Sequence, residues 1–215
     1  MKLQGDLTTL VLAGAWNPAI LSPSWIGRHV LKLPSGNAFQ VEMLMPVQGQ
    51  AEAPRLSFEG LSLTSAPEVL IFHIVPEDVG MVAKTFNVAK SILEMLPHTP
   101  VSAMGVNFTY QVDPNLGQLL QTFDWADGIS DLLDEDPDAA VVNRQWQVGI
   151  AAMGHMVNVS YRADAQGGTI NVNHHYEVEG SAAKAAAHLA SEGLFEQLLG
   201  VTNKLVEGLE KGAAK

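Results

Sequence analysis

Seven histidines carry the most versatile chemistry in this sequence, because a neutral imidazole can bind a metal or move a proton near neutral pH. Their spacing restricts both roles. His174 and His175 are adjacent in a run that alternates like a strand, so they point to opposite faces and do not share one metal. His188 falls in a helical segment with no histidine four residues away, and His98 sits in the turn Pro97-His98-Thr99-Pro100. No HExxH or other spaced ligand set is present, so no metal site is expected and each histidine is expected to be satisfied on its own or exposed to solvent. His175 remains a candidate. On a polar strand face it could meet Asn158, Arg162 or Glu177, and with Asp164 these residues could assemble an enzyme site from distant strands.

Other catalytic chemistries lack their residues. There is no cysteine, which removes disulfides, thiolate catalysis and Cys-ligated zinc. There is also no Gly-x-Ser-x-Gly elbow, P-loop or dinucleotide glycine fingerprint, so no cofactor is expected. Asn107-Phe108-Thr109 and Asn158-Val159-Ser160 match the glycosylation sequon but fall inside predicted strands.

Two features fit binding better than catalysis. Asn107, Thr109, Gln111, Gln145, Gln147, Asn158, Asn171 and Asn173 fall on the polar side of alternating runs, and so many amides with so few charges resemble an interaction surface, although a merely solvated face has the same composition. The apolar, proline-punctuated stretch from Ala15 to Ile26 carries Trp16 and Trp25. These could anchor a partner or pack on the protein's own body.

The acids are concentrated in one place. The net charge is −11, and Asp113, Asp124, Asp127, Asp131, Asp134, Glu135, Asp136 and Asp138 account for eight of those negative charges, leaving −3 for the rest. Asp124-Trp125-Ala126-Asp127-Gly128 lacks the ligand spacing of a calcium loop. The segment is read as a solvated excursion held by Trp125, Ile129, Leu132 and Leu133, with a partner patch mimicking nucleic acid through Asp124 to Asp138 as the alternative. The acidity argues against nucleic acid as a partner, since phosphate neutralisation needs clustered Lys and Arg.

Several elements have to position these groups. Val79, Val82, Phe86, Ala89, Leu93 and Leu96 recur at helical spacing, which predicts a helix over 76–96 with Pro76 in its first turn and Pro97 as its stop. A second helix is expected from the Ser181 N-cap to about Glu210, with a kink or break near Gly193. Alternation with period two predicts strands at Val101–Val112, Arg144–Ala152, His155–Ala163 and Thr169–Val178, the last three forming a meander through Met153-Gly154 and Gln166-Gly167-Gly168. Leu7–Ala15, Ala38–Pro46, Arg55–Thr64 and Glu68–Val75 are less regular strand candidates. Strands followed by helices, twice, imply an α+β fold: an antiparallel sheet with two long helices packed on one face, with a diverged strand-strand-strand-helix duplication as one form of it. At 215 residues and 47% apolar composition one domain suffices, 1–215, with halves 1–112 and 140–215 joined by the acidic excursion 113–139.

The stretch from Leu96 to Phe108, together with Trp16-Asn17-Pro18-Ala19-Ile20, resembles a family of bacterial proteins of about this length with no established activity. That resemblance implies a bacterial or phage source and no site residues. The strand–helix order also resembles the saddle of TATA-binding-like folds, but such a saddle wants basic rims where this chain is acidic. Asp6 interrupts the apolar N-terminal run, and Trp16-Asn17-Pro18 replaces a small-residue cleavage site, so a cytoplasmic location without a membrane span is expected. The combined expectation is a non-enzymatic interaction or assembly protein. It would bind a protein partner or a second copy of itself through the sheet face or edge, at Asn107, Gln145, Gln147, Asn158, Asn171, Asn173 and His175, with Trp16 and Trp25 as further candidates.

Overall fold

The chain forms an α+β fold around a ten-stranded antiparallel sheet. The computed structural model describes residues 1–34, 40–44, 53–112, 143–164 and 167–213. The strands are β1 (Lys2–Leu3), β2 (Thr9–Gly14), β3 (Glu42–Leu44), β4 (Arg55–Phe58), β5 (Leu61–Ala66), β6 (Val69–His73), β7 (Val101–Val112), β8 (Asn143–Ala152), β9 (His155–Asp164) and β10 (Gly167–Glu177). The helices are α1 (Pro23–Trp25), α2 (Val79–Met95), α3 (Ala182–Leu189) and α4 (Leu194–Ala213).

The strand order is β3-β4-β5-β6-β2-β7-β10-β9-β8, and β1 lies along β7 beyond the end of β2. This order contains one connectivity used twice. From β2 the chain leaves the sheet centre, returns inward through β4, β5 and β6 until β6 pairs with β2, then enters α2. From β7 it returns through β8, β9 and β10 until β10 pairs with β7, then enters α3 and α4. The two opening strands, β2 and β7, pair with each other at the middle.

Alternation decides which side each strand buries. On β7, Met104, Val106, Phe108, Tyr110 and Val112 are buried, and on β10 so are Ile170, Val172, His174 and Tyr176. These positions meet Phe86, Ala89, Ile92 and Leu93 of α2, Ala182, Ala185 and Leu189 of α3, and Phe195 and Leu198 of α4 in one apolar cluster. The phenyl rings of Phe86 and Phe108 both approach Phe195, at 6.0 Å and 5.5 Å between centroids, tying α2 and α4 to the central strand.

Two local expectations change, and a third holds. The span Arg55–Thr64 is a hairpin rather than one strand: Glu59 and Gly60 take φ of +50° and +76°, the two-residue turn whose twist matches its flanking strands. Helix α2 starts at Val79 rather than Pro76, because Asp78 caps it by accepting the Met81 N–H at 3.0 Å, and Val79 stays exposed. The break expected near Gly193 is there, with Gly193 at φ of +67° between α3 and α4. Asp78→Ala should therefore cost about 1 kcal/mol of stability by leaving the first-turn donors of α2 unsatisfied, read as a lowered urea midpoint. Among the described residues no helix is long and apolar enough to cross a membrane.

Candidate functional site

The side of the sheet away from the helices is built by register. One row of cross-strand neighbours runs Glu42, Ser57, Ser62, His73, Thr9, Asn107, Asn173, Asn158, Gly149, from β3 at one edge to β8 at the other. It contains no apolar side chain apart from the Gly149 position. Directly opposed side chains on antiparallel strands lie close enough to bond, and this row does so in two blocks.

The first block is an amide ladder. Asn158 Nδ2 donates to Asn173 Oδ1 at 3.3 Å, Asn173 Nδ2 to Asn107 Oδ1 at 2.8 Å, and Asn107 Nδ2 to Thr9 Oγ1 at 3.1 Å. Four strands, β9, β10, β7 and β2, are thereby linked in one donor direction. In the next polar row Asn171 Nδ2 donates to Thr109 Oγ1 at 3.0 Å, and in the row after that Gln111 Nε2 donates to the Gly168 carbonyl at 3.1 Å. Gly105 makes room for the ladder, since a Cβ there would lie 2.8 Å from Asn173 Nδ2. An amide offers two N–H donors and an oxygen with two lone pairs. The ladder bonds of Asn107 and Asn173 use one donor and one lone pair each, so the remaining capacity is held in a fixed orientation.

The second block lies across β4, β5 and β6. Arg55 Nε donates to Ser62 Oγ at 2.7 Å, Ser62 and Ser57 hydroxyls are 3.0 Å apart, and His73 Nε2 is 3.3 Å from Thr64 Oγ1. Burial first, and then the Arg55 charge, lower the His73 pKa to about 4, so the ring is neutral on this face at neutral pH.

The sequence candidates fall into distinct places. Asn107, Asn158, Asn171 and Asn173 stand together in the ladder rows, half-buried, and Gln145 and Gln147 extend the same face on β8, exposed. His175 is on this face, opposite Gly105 and Met156. Arg162 is opposite Thr169, six positions along β10 from His175, or roughly 20 Å at the usual strand rise, so these two are not brought together. Trp16 is a core residue, buried with its indole N–H on the Leu12 carbonyl at 2.9 Å. Trp25 is half-buried, 5.4 Å from the His29 ring. The acidic segment Asp113–Asp138 lies outside the described residues.

The expectation that each histidine is satisfied alone or exposed to solvent is wrong for two of them. His155 Nε2 and His174 Nδ1 are 2.9 Å apart, His174 Nε2 is 2.8 Å from Thr202 Oγ1 of α4, and His155 stacks on Tyr176 at 4.4 Å. His174 and Thr202 are fully buried. A ring-to-ring bond of this kind holds one bridging proton, so the two imidazoles cannot both be cationic without setting N–H against N–H. Burial, and then the neighbouring His155, push the His174 pKa down to about 4 against the opposing pull of the Leu198 carbonyl. Burial likewise lowers His155. The signal was in the pattern: His174 shares the core-facing parity of Ile170, Val172 and Tyr176, and a histidine there must find a buried partner. Thr9 and His73 were also missed as members of the polar row.

Fold and face together define a class: an α+β protein with helices on one side of a long antiparallel sheet and an amide-rich opposite side that none of the described helices covers. No protein-family model matches the chain, and no curated protein is similar to it at a significant level. Among the described residues no three His, Asp or Glu side chains come together as a metal site would require.

Proposed function

We propose that this chain is a protein-interaction module that docks a protein partner on the amide face of its sheet. One observation carries the reading: the directed ladder Asn158–Asn173–Asn107–Thr9, which orients the amides of three strands and ends on a hydroxyl of a fourth, on a face that no helix covers among the described residues. A surface facing only water has no need to align its amides. Neutral amides also lose less on desolvation than charges do, and a preorganised row pays little ordering entropy when a partner seats on it.

Site-specific photo-crosslinking in the native host tests this. A photoreactive residue at Thr109 or Ser160, both on the face, should trap a defined protein, and one at Lys204, exposed on α4, should not. Adding Asn173→Glu should cut the trapped product about tenfold or more, because it places an unpaired charge in the contact. Equal trapping from Lys204, or none from the face, would refute the proposal.

A further inference from the structure

We infer that β8 is a dimerisation edge, on which a second copy of this chain adds its own β8 antiparallel to the first. This rests on the reading of the sheet as an interaction surface and extends it from the face to the edge. The inner side of β8 is paired with β9 along its whole length, from Asn143 opposite Asp164 to Ala152 opposite His155, without a bulge. Among the described residues no strand occupies its outer side. Sheet edges are normally protected by brevity, charge, proline or a bulge. The opposite edge, β3, is three residues long and carries Glu42. From Gln145 to Ala152, β8 has no charge and no proline, and Val148 and Ile150 are 48% and 41% exposed although they pair with buried Val159 and Val157. The apolar side of the sheet therefore runs out to an open edge.

The residues along the edge select a second copy as the occupant. In a chain of net charge −11, this seam brings no like charges together. A twofold axis at Val148 also sets large side chains against small ones: Gln147 faces Gly149, and Gln145 faces Ala151, on the amide side. On the other side Trp146 faces Ile150. The strand is thus self-complementary when read backwards. Pairing it closes both edges at once and joins the amide faces of the two copies into one surface.

Sedimentation of the full chain at micromolar concentration should give twice the 23.0 kDa chain mass. Val148→Lys and Val148→Glu should each remain folded, since Val148 is half exposed, and each should weaken the dimer roughly tenfold or more by placing like charges across the axis. Mixing the two variants in equal amounts should restore it. Amide exchange on alternate β8 residues should also slow as concentration rises. A monomeric parent, a dimer indifferent to both charges, or a β8 that pairs only with a different protein would overturn the inference. Crosslinking from Thr109 and Ser160 reads the face separately. Loss of that trapping with the dimer intact sinks only the face reading, and loss of the dimer with trapping intact sinks only this one.

Discussion

Replacing Phe108 with alanine should lower the free energy of unfolding by about 3–5 kcal/mol, the range for deleting a buried aromatic ring. Phe108 is fully buried on β7, a central strand flanked by β2 and β10. Its ring lies 5.5 Å from Phe195 of α4 and 5.9 Å, edge to face, from His174, so the deletion empties space that a helix and two strands jointly enclose. His174 cannot move into the gap without breaking its bond to Thr202. Single domains are stable by only about 5–15 kcal/mol, so the loss is a large share of the total. Urea unfolding followed by tryptophan fluorescence measures it, and Phe108→Leu should cost clearly less. An unchanged midpoint for Phe108→Ala would disprove the packing of α4 against the sheet centre.

Acid should weaken the fold through the buried histidine pair. The folded pKa of His174 is about 4, below the ordinary 6.5 of an exposed imidazole, so between those values the unfolded chain binds the proton and the folded one does not. Stability therefore rises with pH across this window. The neutral-ring contribution is fully present above about pH 6.5 and is lost as pH falls towards 4. His73, whose pKa is also lowered to about 4, adds in the same direction and is common to parent and variant. Between pH 7 and 4.5 the parent should lose about 2–3 kcal/mol more than His174→Gln, which keeps a polar side chain at the site but cannot titrate. Carboxylate titration is common to both proteins and cancels in the difference. Equal slopes in urea titrations across that range would show that His174 is solvated or already charged.

The strands of the second half were legible because they alternate cleanly. β7 is the span Val101–Val112 itself, and β8, β9 and β10 end within two residues of their predicted bounds. Their joint at Met153-Gly154 was also readable, since both residues take positive φ in a two-residue turn. The β4–β5 hairpin was missed for a local reason. Glu59 is a poor signal for a left-handed position, and the one mark of the turn is a shift in phase, from Leu56 and Phe58 to Leu61 and Leu63, that is easily read as one irregular strand.

The candidate site divides in the same way. Asn107, Asn158, Asn171 and Asn173 could be assigned to a polar face from parity alone, because side chains two apart on a strand share a face. Their order as a ladder could not, since it depends on which strands are neighbours and in what register. β2 and β7 are almost ninety positions apart in the chain, yet Thr9 completes the ladder by facing Asn107. His155 and His174 reach each other only because β9 and β10 are paired, and they reach Thr202 only because α4 covers that part of the sheet.

Local spacing by itself determined the α+β class, the face each strand buries and the break at Gly193, because period and backbone freedom act within a few residues. The tertiary structure decided the row that joins nine strands, the burial of Trp16, the shared proton of the histidine pair and the place of β8 as the last strand among the described residues. Each of these depends on contacts between distant segments, whose register is set by how the whole apolar side of the sheet packs under the helices.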